Sequence, residues 1–159
     1  MQPASVQNLD VNEAKLARAE KVARRARLRD IRLVNLNFRL RELAGMPLLV
    51  MRHGFGHRFE RGSKGDVLVY CDFRVELAND SDESRADPPF FLEGSYGLVY
   101  EIEGGIENLT DDEFASFAEV NGQFNAWPFV RELVHSVAGR AGVEPPTTPP
   151  LRVANKAGE

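Results

Sequence analysis

Residues 124–153 read FNAWPFVRELVHSVAGRAGVEPPTTPPLRV, and this stretch settles the class of fold. Trp127-Pro128 is the chain's only Trp followed by a residue suited to the first turn of a helix, where a missing N–H costs nothing. Phe129, Val130, Leu133, Val134, Val137 and Ala141 recur at three- and four-residue steps, which makes one helix face apolar. Gly142 stands where a left-handed glycine ends a helix. Pro145, Pro146, Pro149 and Pro150 then hold the chain extended up to Leu151 and Val153. Nothing in the stretch has the look of a reaction centre.

Working back from it, Thr110-Asp111-Asp112-Glu113 is a capping box followed by Phe114, Phe117 and Ala118 on one face, a helix running to about Val120 or Asn121. Residues 90–102 alternate: Phe90, Leu92, Tyr96, Leu98, Tyr100 and Ile102 share one face of a strand, and Gly94 and Gly97 point to a bulge or a close backbone approach. Asp66–Leu77 alternates most clearly, with Val67, Val69, Cys71, Phe73, Val75 and Leu77 on one side. Residues 78–89 are an acidic connection. Residues 46–64 hold much turn chemistry around Pro47, Gly54, Gly56 and Gly62, which suits a short strand plus loops. Leu36, Phe38 and Leu40 alternate with Asn37, Arg39 and Arg41 in a half-buried strand over 31–41. Residues 10–30 are rich in Ala and long charged side chains, a helix with the narrow apolar stripe Leu16, Ala19, Val22, Ala23, Ala26. Residues 1–8 form a tail.

Helix, antiparallel strands and two further helices make an α+β domain with helices on one side of a sheet. The 159 residues suit one domain, and 43% hydrophobic with 28% charged residues is ordinary for a globular chain. No apolar run is long enough for a membrane span or a signal peptide, so no membrane insertion is expected. The single Cys71 excludes an intrachain disulfide and fits a reducing, cytoplasmic setting. Residues 1–32 carry eight Lys or Arg against four Asp or Glu, while the remainder carries twelve against twenty. A basic arm precedes an acidic body.

The helix entered through Asn-Ala-Trp-Pro, ended by Gly142 and followed by the Pro-Pro strap, resembles the C-terminal part of the SecB and SecB-like chaperones. The segment FLEGSYGLVYEI (Phe91–Ile102) is similar to that family's third strand, and the order of elements over about residues 31–153 matches. The resemblance implies a four-stranded antiparallel sheet with helices packed on one side; this chain adds an N-terminal helix. The division is then 1–30 basic tail and helix, 31–153 SecB-like domain and 154–159 disordered tail. The implied activity is that of an ATP-independent holdase for unfolded or extended polypeptide, such as a preprotein or an antitoxin, with no cofactor. The implied assembly is a homotetramer, a dimer of dimers, with Leu92, Gly94 and Tyr96 at the contact between dimers. Phe91 and Glu93 occupy the positions that face the SecA secretion motor. The Asn-Ala-Trp-Pro form is nearer the SecB-like proteins, some of which serve toxin–antitoxin systems. The absence of a C-terminal helix after the strap separates this chain from the export chaperones.

Both strands at 66–77 and 90–102 carry apolar groups on their second face, which calls for a subunit or a client to cover it. The candidate client contacts are Phe38, Leu40, Tyr70, Phe91, Val99, Trp127 and Phe129. The basic residues Lys15, Arg18, Lys21, Arg24, Arg25, Arg27 and Arg29 fit a solvated helix face, weak nucleic-acid contact, or docking on the acidic body of a neighbouring subunit. Other classes therefore stay open: a nucleic-acid-associated regulator, or an assembly subunit without holding activity. His53 and His57 in a Gly-rich loop suit a surface or turn role better than a metal pair. His135 falls near the apolar edge of the Trp-Pro helix. No nucleophile–base pattern or phosphate loop points to an enzyme.

Overall fold

The computed structural model describes residues 7–41, 49–79, 88–148 and 151–155. The elements in chain order are β1 (Gln7–Val11), α1 (Glu13–Ala23), β2 (Ala26–Leu40), β3 (Leu49–Arg61), β4 (Asp66–Asn79), β5 (Phe90–Ile102), α2 (Asp111–Phe117), a π-helical stretch (Ala118–Gly122), α3 (Gln123–Arg140) and β6 (Leu151–Asn155). Four strands form one antiparallel sheet in the order β2-β5-β4-β3. Consecutive strands β2 and β3 thus lie at opposite edges. The helices cover one face, as the alternation of the central strands demands.

On β4, Val67, Val69, Cys71, Phe73, Val75 and Leu77 are all buried, and so are Phe90, Leu92, Leu98 and Tyr100 on β5. The helices meet them with Phe114, Phe117, Ala126, Trp127, Val130, Val134 and Ala138. Two glycines mark where backbone comes closest. A Cβ on Gly122 would sit 2.8 Å from the Val69 side chain, so the helical run can settle on the sheet there only without one. A Cβ on Gly94 would lie 2.4 Å from the Asn35 carbonyl oxygen, beside a bulge where the β2 register shifts between Leu33 and Asn35.

The caps follow the local chemistry. Thr110 accepts from the Glu113 N–H at 3.2 Å, and the Glu113 carboxylate accepts from the Thr110 N–H at 3.0 Å. Gly142 has φ +73°, and the Val143 N–H reaches the Ala138 carbonyl at 2.9 Å, the six-residue closure of a Schellman end.

Several expectations change. Pro128 does not open a helix; it lies inside α3, on the exposed side, and the π-helical stretch joins α2 to α3 without a break. An interior Pro costs a helix about 3 kcal/mol. Burial of its neighbours Ala126, Trp127 and Val130 against the sheet offsets that cost. Over 49–61 the turn chemistry is overridden as well: β3 is an edge strand paired with β4 from Leu49↔Asn79 to Arg61↔Val67, while 62–65 do turn and 46–48 lie outside the described residues. Its inner-face side chains Met51, Phe55 and Phe59 pack on the core, and this tertiary contact outweighs the glycines.

The helix expected over 10–30 is shorter, Glu13–Ala23, capped by Asn12. From Ala26, opposite Ile102, the chain is drawn into the ladder with β5. Arg25 fastens that corner by donating to the carbonyls of Glu103 and Gly105. The two ends are more ordered than expected, since Gln7–Val11 pairs in parallel with Leu151–Asn155, a small second sheet that takes in Gln7, Asn8, Ala154 and Asn155. Of the acidic connection, residues 80–87 lie outside the described residues, as do 1–6 of the tail and 156–159.

α1 docks on its own chain. Lys15 pairs with Glu119 at 2.6 Å, Lys21 with Glu113 at 2.8 Å, and Arg18 donates to the Ser116 hydroxyl at 3.1 Å, while Ala19 and Val22 are buried beneath. The Lys21 ammonium, and then the Thr110 N–H, hold the Glu113 carboxyl below its ordinary range.

Candidate functional site

The helices roof β4, β5 and the inner side of β3, but they stop short of β2. Leu33 stands opposite Tyr96, Leu36 opposite Gly94, Phe38 opposite Leu92 and Leu40 opposite Phe90. Residues directly opposite share a face, so these four point to the same side as the core. Yet Leu28, Leu33, Leu36, Phe38 and Leu40 are 36–41% exposed. Phe38 meets the buried Phe90 edge-on at 5.2 Å between ring centres, which ties the row to the core. On the α3 side the border is Phe129, 42% exposed, 6.0 Å from the Tyr96 ring. The Tyr96 hydroxyl donates to the Phe129 carbonyl at 3.3 Å, and Phe73 stacks on Tyr96 at 5.6 Å. The result is an apolar shelf, floored by β2 and walled on one side by α3.

Of the residues singled out above, the structure brings Phe38, Leu40 and Phe129 together on this shelf. Trp127 is 2% exposed and belongs to the core, wedged against His53 at 5.4 Å and Phe55 at 5.6 Å. Tyr70 and Val99 lie half-buried on the sheet's other face, Tyr70 beneath the Arg58 guanidinium at 3.7 Å. Phe91 is on that face too, but it is buried between the guanidiniums of Arg39 and Arg74, each 4.7 Å from the ring. Glu93 beside it accepts from the Asn37 amide at 3.1 Å. Leu92, Gly94 and Tyr96 are buried within this chain, Tyr96 against Phe129 of α3. Leu28, Leu33 and Leu36 complete the shelf. The alternation of residues 31–41 marks Leu36 as one face of a strand, but no local signal says that a roof is missing.

Burial pushes the Cys71 thiol up to about 12, so it is no thiolate nucleophile at neutral pH. Tyr100 is likewise pushed up to about 12 and accepts from the Asn125 amide. His53 and His57 do not sit in a surface loop. They are half-buried on the inner side of β3, and burial lowers both pKa values from the ordinary 6.5. For His57 the Glu119 and Asp72 carboxylates oppose part of that shift. His135 is exposed and lies 3.5 Å from Thr148, which also accepts from Arg131 at 3.0 Å, so these side chains pin the Pro-rich strap onto α3. Among the described residues, no group of three or more His, Cys, Asp or Glu side chains is arranged to hold a metal ion. No described helix is long and apolar enough to cross a membrane.

No family model matches the chain. Two curated relatives, the SecB-like chaperones Rv1957 and MT2006 from two strains of Mycobacterium tuberculosis, are each 25% identical to it over 144 residues, covering 80% of this chain and 78% of theirs. The solved structure of the Mycobacterium tuberculosis Rv1957 SecB-like chaperone, in complex with a ChAD peptide from the HigA1 antitoxin, superposes with a TM-score of 0.75 at 20% identity. That alignment covers 87% of this chain and 99% of the other. The four-stranded antiparallel sheet with its helices on one side is the fold that this neighbour has. In sequence and in fold, this chain is similar to the SecB-like chaperones.

Proposed function

We propose that the protein is an ATP-independent holdase that keeps extended, aggregation-prone polypeptide on the shelf formed by Leu33, Leu36, Phe38, Leu40 and Phe129. The observation that carries this reading is the unroofed inner face of β2. Apolar burial is non-directional and worth about 25 cal/mol per Å², so such a shelf accepts many sequences without reading any of them. The SecB-like chaperone whose structure superposes above is in complex with an antitoxin peptide, which favours an antitoxin segment over a preprotein as client. The setting is cytoplasmic and the working unit a homotetramer. Delivery to the SecA motor through Phe91 and Glu93 fits less well, because two guanidiniums cover Phe91. The nucleic-acid reading is also weaker, because Lys15, Arg18 and Lys21 are spent on α2 and the π-helical stretch of the same chain.

The test is light scattering of a chemically unfolded client diluted into buffer without nucleotide. The wild-type chain suppresses aggregation; Leu36→Ser/Phe38→Ser does not, although it folds. Equal suppression by the two proteins would remove the shelf from the mechanism, and a requirement for ATP would remove the holdase reading itself.

A further inference from the structure

The basic helix α1 is fastened to the rest of the chain by little apolar area. Its 11 residues are too few for a helix that is stable alone, and only Ala19 and Val22 among its side chains are buried. Docking therefore leans on polar ties. The Lys15–Glu119 pair is the tie that reaches the π-helical stretch, and that stretch packs on β3, the strand that carries His57. We propose that His57 is a proton-sensitive latch for α1: a proton taken up by its ring loosens α1 from the helical run. Nothing in the latch depends on the shelf or on a client.

The His57 Nε2 is buried and has no hydrogen-bond partner among the described residues. Phe55 lies alongside the ring at 6.4 Å between ring centres, and Cys71, directly opposite on β4, is a neutral thiol. Three charged groups act on the ring: Glu119 from the π-helical stretch, Asp72 from β4 and Lys15 from α1. Asp72 belongs to the other face of the sheet, where Ser95 donates to it and Arg58 lies 3.7 Å away. Glu119 is thus the carboxylate on the ring's own side, and Lys15 already neutralises it at 2.6 Å. A proton on His57 would meet an ion pair, not a free carboxylate.

Burial is the main reason that the ring resists protonation; Glu119 and Asp72 oppose it, and Lys15 adds to it. Undocking α1 takes Lys15 away, which removes its repulsion and leaves Glu119 unneutralised. Both changes raise the ring's proton affinity. Linkage is reciprocal, so if α1 disfavours the proton, the proton disfavours α1. The docked state has the lower pKa. Docking is therefore at full strength above about pH 6.5, weakens below it and levels off below the docked-state value. Release leaves Val120, which packs against Ala19 and Leu16, bare beside the half-exposed Phe124. Acid would add an apolar strip to the helical side.

Hydrogen exchange of the full chain, corrected for the intrinsic rate at each pH, follows α1 directly. Between pH 7 and pH 5 the protection of the α1 amides is expected to fall severalfold, while the β4 amides at the centre of the sheet remain protected. His57→Gln is expected to hold α1 protection level. His53→Gln, which changes the other imidazole of the same strand, is expected to respond like wild type. A second readout leaves His57 in place: NMR titration of its ring in Lys15→Gln is expected to give a pKa above the wild-type value, which a role in packing alone does not produce. Four results would each overturn the latch: α1 protection that does not change with pH, the same pH response in His57→Gln as in wild type, a His57 titration unmoved by Lys15→Gln, or α1 and β4 losing protection together.

Discussion

β2 and β3 are the two edges of one sheet, alike in length and both alternating, and they have opposite fates. On β3 the inner side chains Met51, His53, Phe55, His57 and Phe59 are half-buried, with Phe55 against Trp127 and Phe59 against Phe114. On β2 the corresponding row looks out into solvent. The difference does not come from the strands, since β2 carries the more apolar row. It comes from the helical run 111–140, which begins beside Arg61, held by an Arg61–Asp111 ion pair, and crosses β3, β4 and β5 only. Which edge becomes core and which stays open is decided by where a helix lies.

The strongest way to break this contrast is to take away the roof. Trp127→Ala removes the ring that covers His53 and Phe55 and is expected to cost about 3–5 kcal/mol in urea unfolding. A loss under 1 kcal/mol would mean that β3 does not depend on its roof.

Acid probes the same edge. His53 and His57 resist protonation in the folded chain because they are buried, while the unfolded chain takes protons near the ordinary 6.5. Their contribution to stability is therefore complete above about pH 6.5, falls as pH drops below it, and levels off below the folded-state values. The His53→Gln/His57→Gln chain should lose less stability than wild type between pH 7 and pH 5; parallel curves would show that these two imidazoles are not responsible. β2 holds no His, so its shelf has no such sensitivity.

The start of the roof is sharpened by Thr110→Ala. Loss of this cap is expected to cost about 1 kcal/mol, read as a lowered melting temperature. An unchanged melting temperature would show that the Arg61–Asp111 pair anchors the helix start unaided. Smallest in stability is Phe38→Ser on the open edge, expected to cost less than 1 kcal/mol because the side chain is already part-solvated, while client holding falls severalfold. A large loss of stability with holding intact would reverse the assignment of the two edges.

Much of this was legible in the chain. The alternation over 66–77 and 90–102, the Thr110–Glu113 box and the Gly142 stop all describe interactions within a few residues, so pattern alone suffices. Of the candidate contacts, Phe38, Leu40 and Phe129 lie on one surface. Trp127 and Phe91 do not, because an aromatic in an amphipathic pattern reads the same whether a neighbour covers it or not. Trp127 is covered by the sheet, Phe91 by Arg39 and Arg74.

By itself, the sequence determined the two central strands, the ends of the helices and the class of fold, since periodicity and capping are local and the burial of alternate side chains follows from them. Only the tertiary structure decided that the glycine-rich segment around His53 is a strand and that Pro128 can sit inside a helix. It also decided that the basic arm is held by Glu113 and Glu119 of its own chain, and that β2 stays open. Each of these depends on which surfaces meet across the fold, where burial and ion pairing outweigh local propensities worth a few kcal/mol at most.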